Sequence, residues 1–246
     1  VAGKLFEIGH HKGKFLARSK DEPAMPDRSS SFLLPTSLIA GTLFFCLLTL
    51  WAEKTGGSFK KILFKTLASL GFLSLGLIFN PLETRYGIGI LLGLFFSLLG
   101  DVALAFPTKV AFLTGMGLFA LAHLGYISGF ILRTPLDPIL GAIAVLPFFF
   151  LALFFYLRFR RRIEKGMMIP LTIYSILLVT MVGLAVSTLK LSGGMLAGVG
   201  AILFALSDLW VARDRLIHPS FLNKLFGLPL YYSAQILIAL SLRFSS

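Results

Sequence analysis

Residues 86–106 read YGIGILLGLFFSLLGDVALAF, and residues 198–212 read GVGAILFALSDLWVA. Each stretch is apolar almost throughout, and each carries one aspartate near its C-terminal end, Asp101 and Asp208. The chain has eleven acidic residues, and these two alone are embedded in runs apolar enough to span a bilayer. A charged carboxylate at such depth costs roughly 3 kcal/mol or more unless it is paired, hydrated or protonated, so it marks a functional site by default. The rest of the functional reading is built around these positions.

Composition puts the chain in a membrane. Of 246 residues, 57% are hydrophobic and only 14% charged, and the mean hydropathy is +0.88. A soluble fold of this length would have too little polar residue to cover its surface. The 25 phenylalanines suit helices that face lipid. The single cysteine, Cys46, excludes a disulfide framework and a cysteine metal cluster, and at mid-span it reads as core. A net charge of +12 raises the question of nucleic acid. The lysines and arginines, however, lie in the N-terminal tail and between apolar runs, as topology determinants beside anionic lipid do. No nucleic-acid partner is expected.

Crossing the hydrocarbon core takes about 20 apolar residues, and eight runs qualify: Phe32 to Trp51, Lys61 to Phe79, Tyr86 to Phe106, Val110 to Leu132, Ile139 to Leu157, Met168 to Leu189, Met195 to Ala212 and Leu225 to Leu242. The second run opens on lysines, and Lys65 inside it must snorkel or find a partner. Short linkers carry turn signals, among them Gly56-Gly57, Asn80-Pro81 and Gly193-Gly194. The expected fold is therefore an all-α integral membrane protein, a bundle of eight transmembrane helices over residues 32–246. Residues 1–31 are polar and mixed in charge and read as a flexible tail; no apolar stretch opens the chain as a signal peptide would. Gly125-x-x-x-Gly129 and Gly194-x-x-x-Gly198 allow close helix approach, which concerns packing rather than chemistry.

The loops after the odd-numbered spans hold most of the inter-span basic residues, including Arg158, Arg160, Arg161, Arg162 and Lys165. The positive-inside bias assigns these loops to the cytoplasm, against the pull of the basic tail. The membrane is the cytoplasmic one in a bacterial host, and the endoplasmic reticulum or another internal membrane in a eukaryotic one.

Spans three and seven run in the same direction. Counted back from Phe106 and Ala212, at 1.5 Å per residue, Asp101 and Asp208 lie roughly 6–8 Å inside the same face. Lys65 starts from that face, as do Tyr231, Tyr232 and Gln235 on span eight; His123 and Tyr126 sit deeper on span four, and Ser97 is one turn from Asp101. A polar cavity opening to one leaflet is expected, with its floor near His123. Each residue also has a plainer reading. The aspartates would fix helix register by pairing with Lys65 or arginines, His123 would join two helices, and one of the tyrosines would belong to an interfacial belt. Ser97 and Ser207 would bond carbonyls of their own helices. Trp51 and Trp210 read as interface anchors, and Arg213, Asp214 and Arg215 as solvated loop charge.

SLLGDVAL (residues 97–104), FALAHLGYISGF (119–130), GAILFALSDLWVA (200–212) and LYYSAQILIALS (230–241) resemble the YhhN family of eight-span membrane proteins, whose animal members are lysoplasmalogenases. FKTL around Lys65, and PLTIYSILLVTMVGLA with Tyr174 and Met181, also fit, in order from span two to span eight. Gly125 and Trp210 depart from the pattern inside these motifs and leave the substrate open.

The resemblance implies hydrolysis of the vinyl ether of a lysoplasmalogen, giving a fatty aldehyde and a glycerophospho-alcohol. Such cleavage begins with protonation at carbon and passes through an oxocarbenium ion that water captures. It needs one carboxyl group that holds a proton, as apolar surroundings favour, and one carboxylate that stabilises the cation, the division of labour by which paired carboxylates cleave glycosides. Asp101 and Asp208 are the expected catalytic pair. Lys65, Ser97, His123, Tyr126, Tyr174, Ser207, Tyr231, Tyr232 and Gln235 are expected to support them or bind substrate. The partners are then a lysophospholipid and membrane lipid; no cofactor or metal is required, since one histidine with two carboxylates is a weak metal constellation. A proton-coupled lipid or small-molecule transporter would use the same intramembrane residues and is the alternative.

Overall fold

A computed structural model describes residues 28–160 and 164–244. Among these, eight long α-helices account for nearly all the chain: α1 (Arg28–Thr55), α2 (Ser58–Leu77), α3 (Arg85–Leu104), α4 (Lys109–Ile131), α5 (Pro138–Phe159), α6 (Lys165–Ser187), α7 (Gly194–Leu216) and α8 (Phe221–Ser241). The eight apolar runs and eight helices correspond one to one. Seven of them are long and apolar enough to cross a membrane; α2, with Lys60, Lys61 and Lys65, is the exception. The described residues are thus those of an all-helical integral membrane protein. The tail expected over residues 1–31 lies outside the described residues as far as 27, and α1 begins at Arg28.

Local chemistry explains where the helices start. Thr84 accepts a hydrogen bond from the Gly87 amide, Thr108 from Ala111 and Ser220 from Leu222, each supplying a partner to an orphan first-turn donor. Asp137 accepts from Ile139 and Leu140, with Pro138 as the first helical residue of α5. The α6–α7 turn passes through Gly193 at φ +71°, a left-handed conformation that a side chain would strain.

Neighbours in sequence pack as antiparallel pairs, and further contacts of α2 with α3, α4 with α6, α6 with α7, and α8 with α1 close seven helices into a ring. α8 also reaches α2 and α3. α5 lies outside this ring, against α6. The tightest crossing is α3 on α4. A Cβ on Gly89 would lie 2.5 Å from the Gly129 amide nitrogen, and one on Gly125 2.7 Å from that of Gly93. Such backbone contact is what small residues four apart permit. Gly93 also leaves room for the ring of Tyr126, which carries that side chain into the bundle.

Candidate active site

Asp101 projects from the last turn of α3 and is 2% exposed. Three donors from two other helices converge on it. Lys65 of α2 places Nζ 3.1 Å from Oδ1. The hydroxyls of Ser69, one turn further along α2, and Tyr231 of α8 donate to Oδ2 at 2.6 and 2.7 Å. A cation thus faces one oxygen and two hydroxyls the other. The network continues inward. Gln235 Nε2 donates to the Tyr231 hydroxyl at 3.2 Å, Tyr126 donates to Gln235 Oε1 at 2.6 Å, and Ser97 lies 3.4 Å from the Tyr126 hydroxyl. A fixed chain of polar groups inside an apolar bundle specifies one packing of α3, α4 and α8.

Asp208 has different company. It lies on α7 and is half-buried; Tyr174 of α6 donates to its Oδ2 at 2.6 Å. His123 of α4 is fully buried, with Nε2 3.9 Å from the same oxygen, too far for a hydrogen bond. Neither ring nitrogen of His123 has a hydrogen-bond partner among the described residues, although its ring packs on Tyr174 and Phe204. A buried imidazole left this way is rare enough to require a reason. Among the described residues, His123 is the one basic side chain within ion-pair reach of Asp208.

Asp101 and Asp208 line one cavity of about 140 Å³, together with Lys65, Tyr174, Ser207 and Tyr231. Where α7 ends and α8 begins, the same cavity is lined by Arg215, Asn223 and Lys224. Lys224 pairs with Glu53 at 3.1 Å, and Arg215 donates to the Leu104 carbonyl at 3.0 Å.

Several sequence expectations are altered by these contacts. The aspartates share a cavity, but not a distance from their helix ends. α3 stops three residues beyond Asp101, whereas α7 continues eight residues beyond Asp208, to Leu216. Arg213, Asp214 and Arg215 are therefore helix rather than loop. Asp214 accepts from the Ser220 amide and from Asn223, which joins the end of α7 to the start of α8. Tyr231 and Tyr232 are both buried, and Tyr232 donates to the Lys65 carbonyl at 3.3 Å, so neither belongs to an interfacial belt. Trp210 stacks on Phe226 and lines the cavity. Ser97 faces Tyr126 rather than Asp101, and Ser207 bonds the Phe204 carbonyl of its own helix while lining the cavity. Ser69 was not singled out from the sequence. Its spacing of four from Lys65 on one face of α2 is the signal that would have found it. Lys224 and Asn223 carried no signal, because nothing in an amphipathic helix start distinguishes a cavity wall from a solvated face.

Residues 60–242 match the family model described as the YhhN family. Curated relatives include a pig protein named lysoplasmalogenase TMEM86B (Sus scrofa), 39% identical over 150 residues that make up 59% of this chain and 59% of that protein. A bovine lysoplasmalogenase TMEM86A (Bos taurus) is 32% identical over 185 residues, 73% of this chain and 72% of its own length. The human TMEM86A protein, of the same name, is 31% identical over 195 residues, with 73% and 72% covered. The chain thus spans less than two thirds of the pig relative it matches. No solved structure matches.

Proposed function

The chain belongs to the YhhN family, and from that premise we propose that it is a lysoplasmalogenase, hydrolysing the vinyl ether of an alkenyl lysophospholipid to a fatty aldehyde and a glycerophospho-alcohol. The names of its relatives support the substrate class. The observation that carries the chemistry is the unlike setting of two aspartates on one cavity: Asp101 faces a lysine and two hydroxyls, Asp208 a single hydroxyl and an unpartnered histidine. Environments that separate two carboxyl groups assign their roles.

In this mechanism Asp208 carries the proton. It delivers that proton to the vinyl carbon remote from oxygen, and the π electrons form the new C–H bond. The carbon next to oxygen becomes an oxocarbenium ion, which the fixed negative charge of Asp101 stabilises. Water held beside His123 bonds to that carbon and returns a proton to Asp208. The resulting hemiacetal collapses to aldehyde and alcohol, so hydrogen and oxygen balance and no redox partner is needed. Lys65 is buried against Asp101, so the phosphate falls to Lys224 and Arg215, which line the same cavity where α7 ends and α8 begins. Binding it draws the more exposed Lys224 from Glu53. All eight helices cross the membrane, α2 with its lysines turned inward or toward the headgroups, and the cavity opens to the leaflet on the side of the basic loops, the cytoplasmic side.

The test is mass spectrometry of products from purified protein in liposomes containing an alkenyl lysolipid. Aldehyde is expected without any pH gradient or membrane potential. Asp208→Asn, which loses the acid–base group, and Asp101→Asn, which loses the charge that stabilises the cation, should each lower the rate by about 10²–10⁴-fold while the protein still folds. Rates within a few-fold of wild type in either variant would give that aspartate a structural role. Substrate flux that depends on a gradient and yields no aldehyde would replace the hydrolase by a transporter.

A further inference from the structure

α5 and α6 are clasped where α5 begins and α6 ends. The Asp137 amide donates to the Ser187 carbonyl at 2.8 Å. A Cβ on Gly141 would lie 2.9 Å from the Gly183 carbonyl oxygen, and one on Gly183 2.5 Å from Val145 Cγ2, so the backbones touch there. Beyond this clasp each helix contains a proline, Pro147 in α5 and Pro170 in α6, which removes a backbone donor from the helix. Past Pro147 the space between α5, α6 and α7 opens into a cavity of about 470 Å³. Its walls include Phe148, Ala152 and Tyr156 of α5, Ser175 and Val179 of α6, and Leu209 of α7. The hydroxyls of Thr172 and Ser175 bond the Met168 and Leu171 carbonyls, which leaves an apolar lining.

This groove adjoins the cavity that Asp101 and Asp208 line. Leu171, Tyr174, Asp208, Ala212 and Leu216 line both. One space therefore leads from Asp208 toward cationic side chains, and the other leads from Asp208 along an apolar wall. A ligand that satisfies both has a charged head, a single hydrocarbon chain, and its junction at Asp208. A methylene takes up about as much space as a water molecule, roughly 30 Å³, so the groove has room for a chain of a dozen or more carbons.

We propose that the α5–α6–α7 groove binds the hydrocarbon chain of the substrate and that its length sets a preference among chain lengths. This deepens the hydrolase reading and rests on it for the identity of the head. Ala152 of α5 and Val179 of α6 both line the groove, so a larger side chain at either position takes up part of that space.

The experiment compares Ala152→Trp and Val179→Trp with wild type on alkenyl lysolipids bearing an octenyl or a hexadecenyl chain. Displacing two methylenes from an apolar wall is worth about tenfold, so the ratio of kcat/KM for the long chain over the short one should fall by about tenfold or more in each variant. Equal losses on both chains, in protein that elutes and melts as wild type does, would overturn the proposal. A second measurement needs neither turnover nor variants: wild-type protein is irradiated with a lysolipid carrying a mid-chain diazirine, and the adducts are mapped. Adducts on the α5 and α6 segments that line the groove, competed by unlabelled lysolipid, support it. Adducts elsewhere, adducts competed only by diacyl bilayer lipid, or a cross-linked second copy covering the groove would overturn it. If wild type releases no aldehyde yet labels in the groove, the hydrolase reading fails while the chain subsite stands.

Discussion

Replacing Lys65 with methionine separates two roles for this lysine, binding a substrate phosphate and holding Asp101. The Nζ–Oδ1 distance is 3.1 Å, and both side chains are almost wholly buried. At an effective dielectric near 20, the attraction at that distance is about 5 kcal/mol, in line with the roughly 3–5 kcal/mol lost when one member of a buried pair is removed. Ser69 and Tyr231 would still donate to the carboxylate, each contributing about 1.5–3 kcal/mol as hydrogen bonds to a charged group. They hold the side chain in place but bring no charge. Lys65→Met should therefore melt well below wild type, and so should Asp101→Asn, which leaves the ammonium unpaired. The double variant should be more stable than the sum of the two losses implies, because neither charge then lacks its partner. For turnover, only about 1.4 kcal/mol of the altered field reaching the transition state is a factor of ten. The expected kinetics are a fall in kcat of at least about tenfold with little change in KM. The assay is a double-mutant cycle of thermal unfolding in detergent, read beside initial rates of aldehyde release. Additive stability losses would refute the ion pair, and a raised KM with retained kcat would return Lys65 to the headgroup.

Tyr174→Phe keeps the ring against His123 but deletes the hydroxyl bonded to Asp208; kcat should drop by about 10–100-fold, because the carboxylate that forms as Asp208 delivers its proton loses a hydrogen bond, and an unchanged rate would detach Tyr174 from the chemistry. His123→Phe removes ring nitrogens that have no protein hydrogen-bond partner among the described residues. Its melting temperature should stay near that of wild type while aldehyde release slows at least about tenfold; full activity would make His123 a packing residue. Gly125→Ala drives a Cβ to 2.7 Å from the Gly93 amide nitrogen, a backbone atom that cannot yield, and should cost about 1–3 kcal/mol. Gly117→Ala, with nothing within 4 Å, should melt as wild type does, and equal melting of the two would remove the close α3–α4 contact.

Much of the bundle was legible because each helix is long, apolar and punctuated by turn residues, and length alone separates one span from the next. The Gly89–Gly129 crossing was legible as a four-residue glycine spacing on α4, and Gly89 and Gly93 repeat that spacing on α3, but spacing does not say which helix meets which. The candidate catalytic pair could be named from rarity, since a carboxylate within an apolar run carries a cost that needs a reason. What the sequence left open was direction around the helix axis. Ser97 is one turn from Asp101, yet it faces Tyr126, while Ser69 on another helix reaches the carboxylate. Periodicity assigns residues to a face of their own helix; which helix that face meets depends on how the ring closes. The end of α7 was misread for a related reason. Arg213, Asp214 and Arg215 look like loop charge in one dimension, but contacts with Ser220, Asn223 and Leu104, all distant in sequence or beyond a turn, keep that segment helical.

The same reasoning explains why two aspartates that look alike in sequence can be given unlike work. Both sit in apolar helices, and nothing within four residues of either one predicts its partners. Asp101 gains its cation from α2 and a hydroxyl from α8, two helices that meet α3 on the side where the ring closes. Asp208 faces α6 and α4 instead, where Tyr174 and His123 bring no fixed positive charge. A carboxylate that faces a lysine on one oxygen and two hydroxyls on the other has both oxygens engaged by its own protein. A carboxyl group with one hydroxyl beside it, at the junction of an apolar groove and a polar cavity, is free of that constraint. Exchange of the two settings is the decisive comparison: Lys65→Met frees Asp101 from its cation, but leaves it away from the groove, so it should not take over proton delivery when Asp208→Asn is added. Recovery of aldehyde release in that double variant, above the level of Asp208→Asn alone, would show that position on the cavity wall does not matter and that charge environment alone sets the two roles.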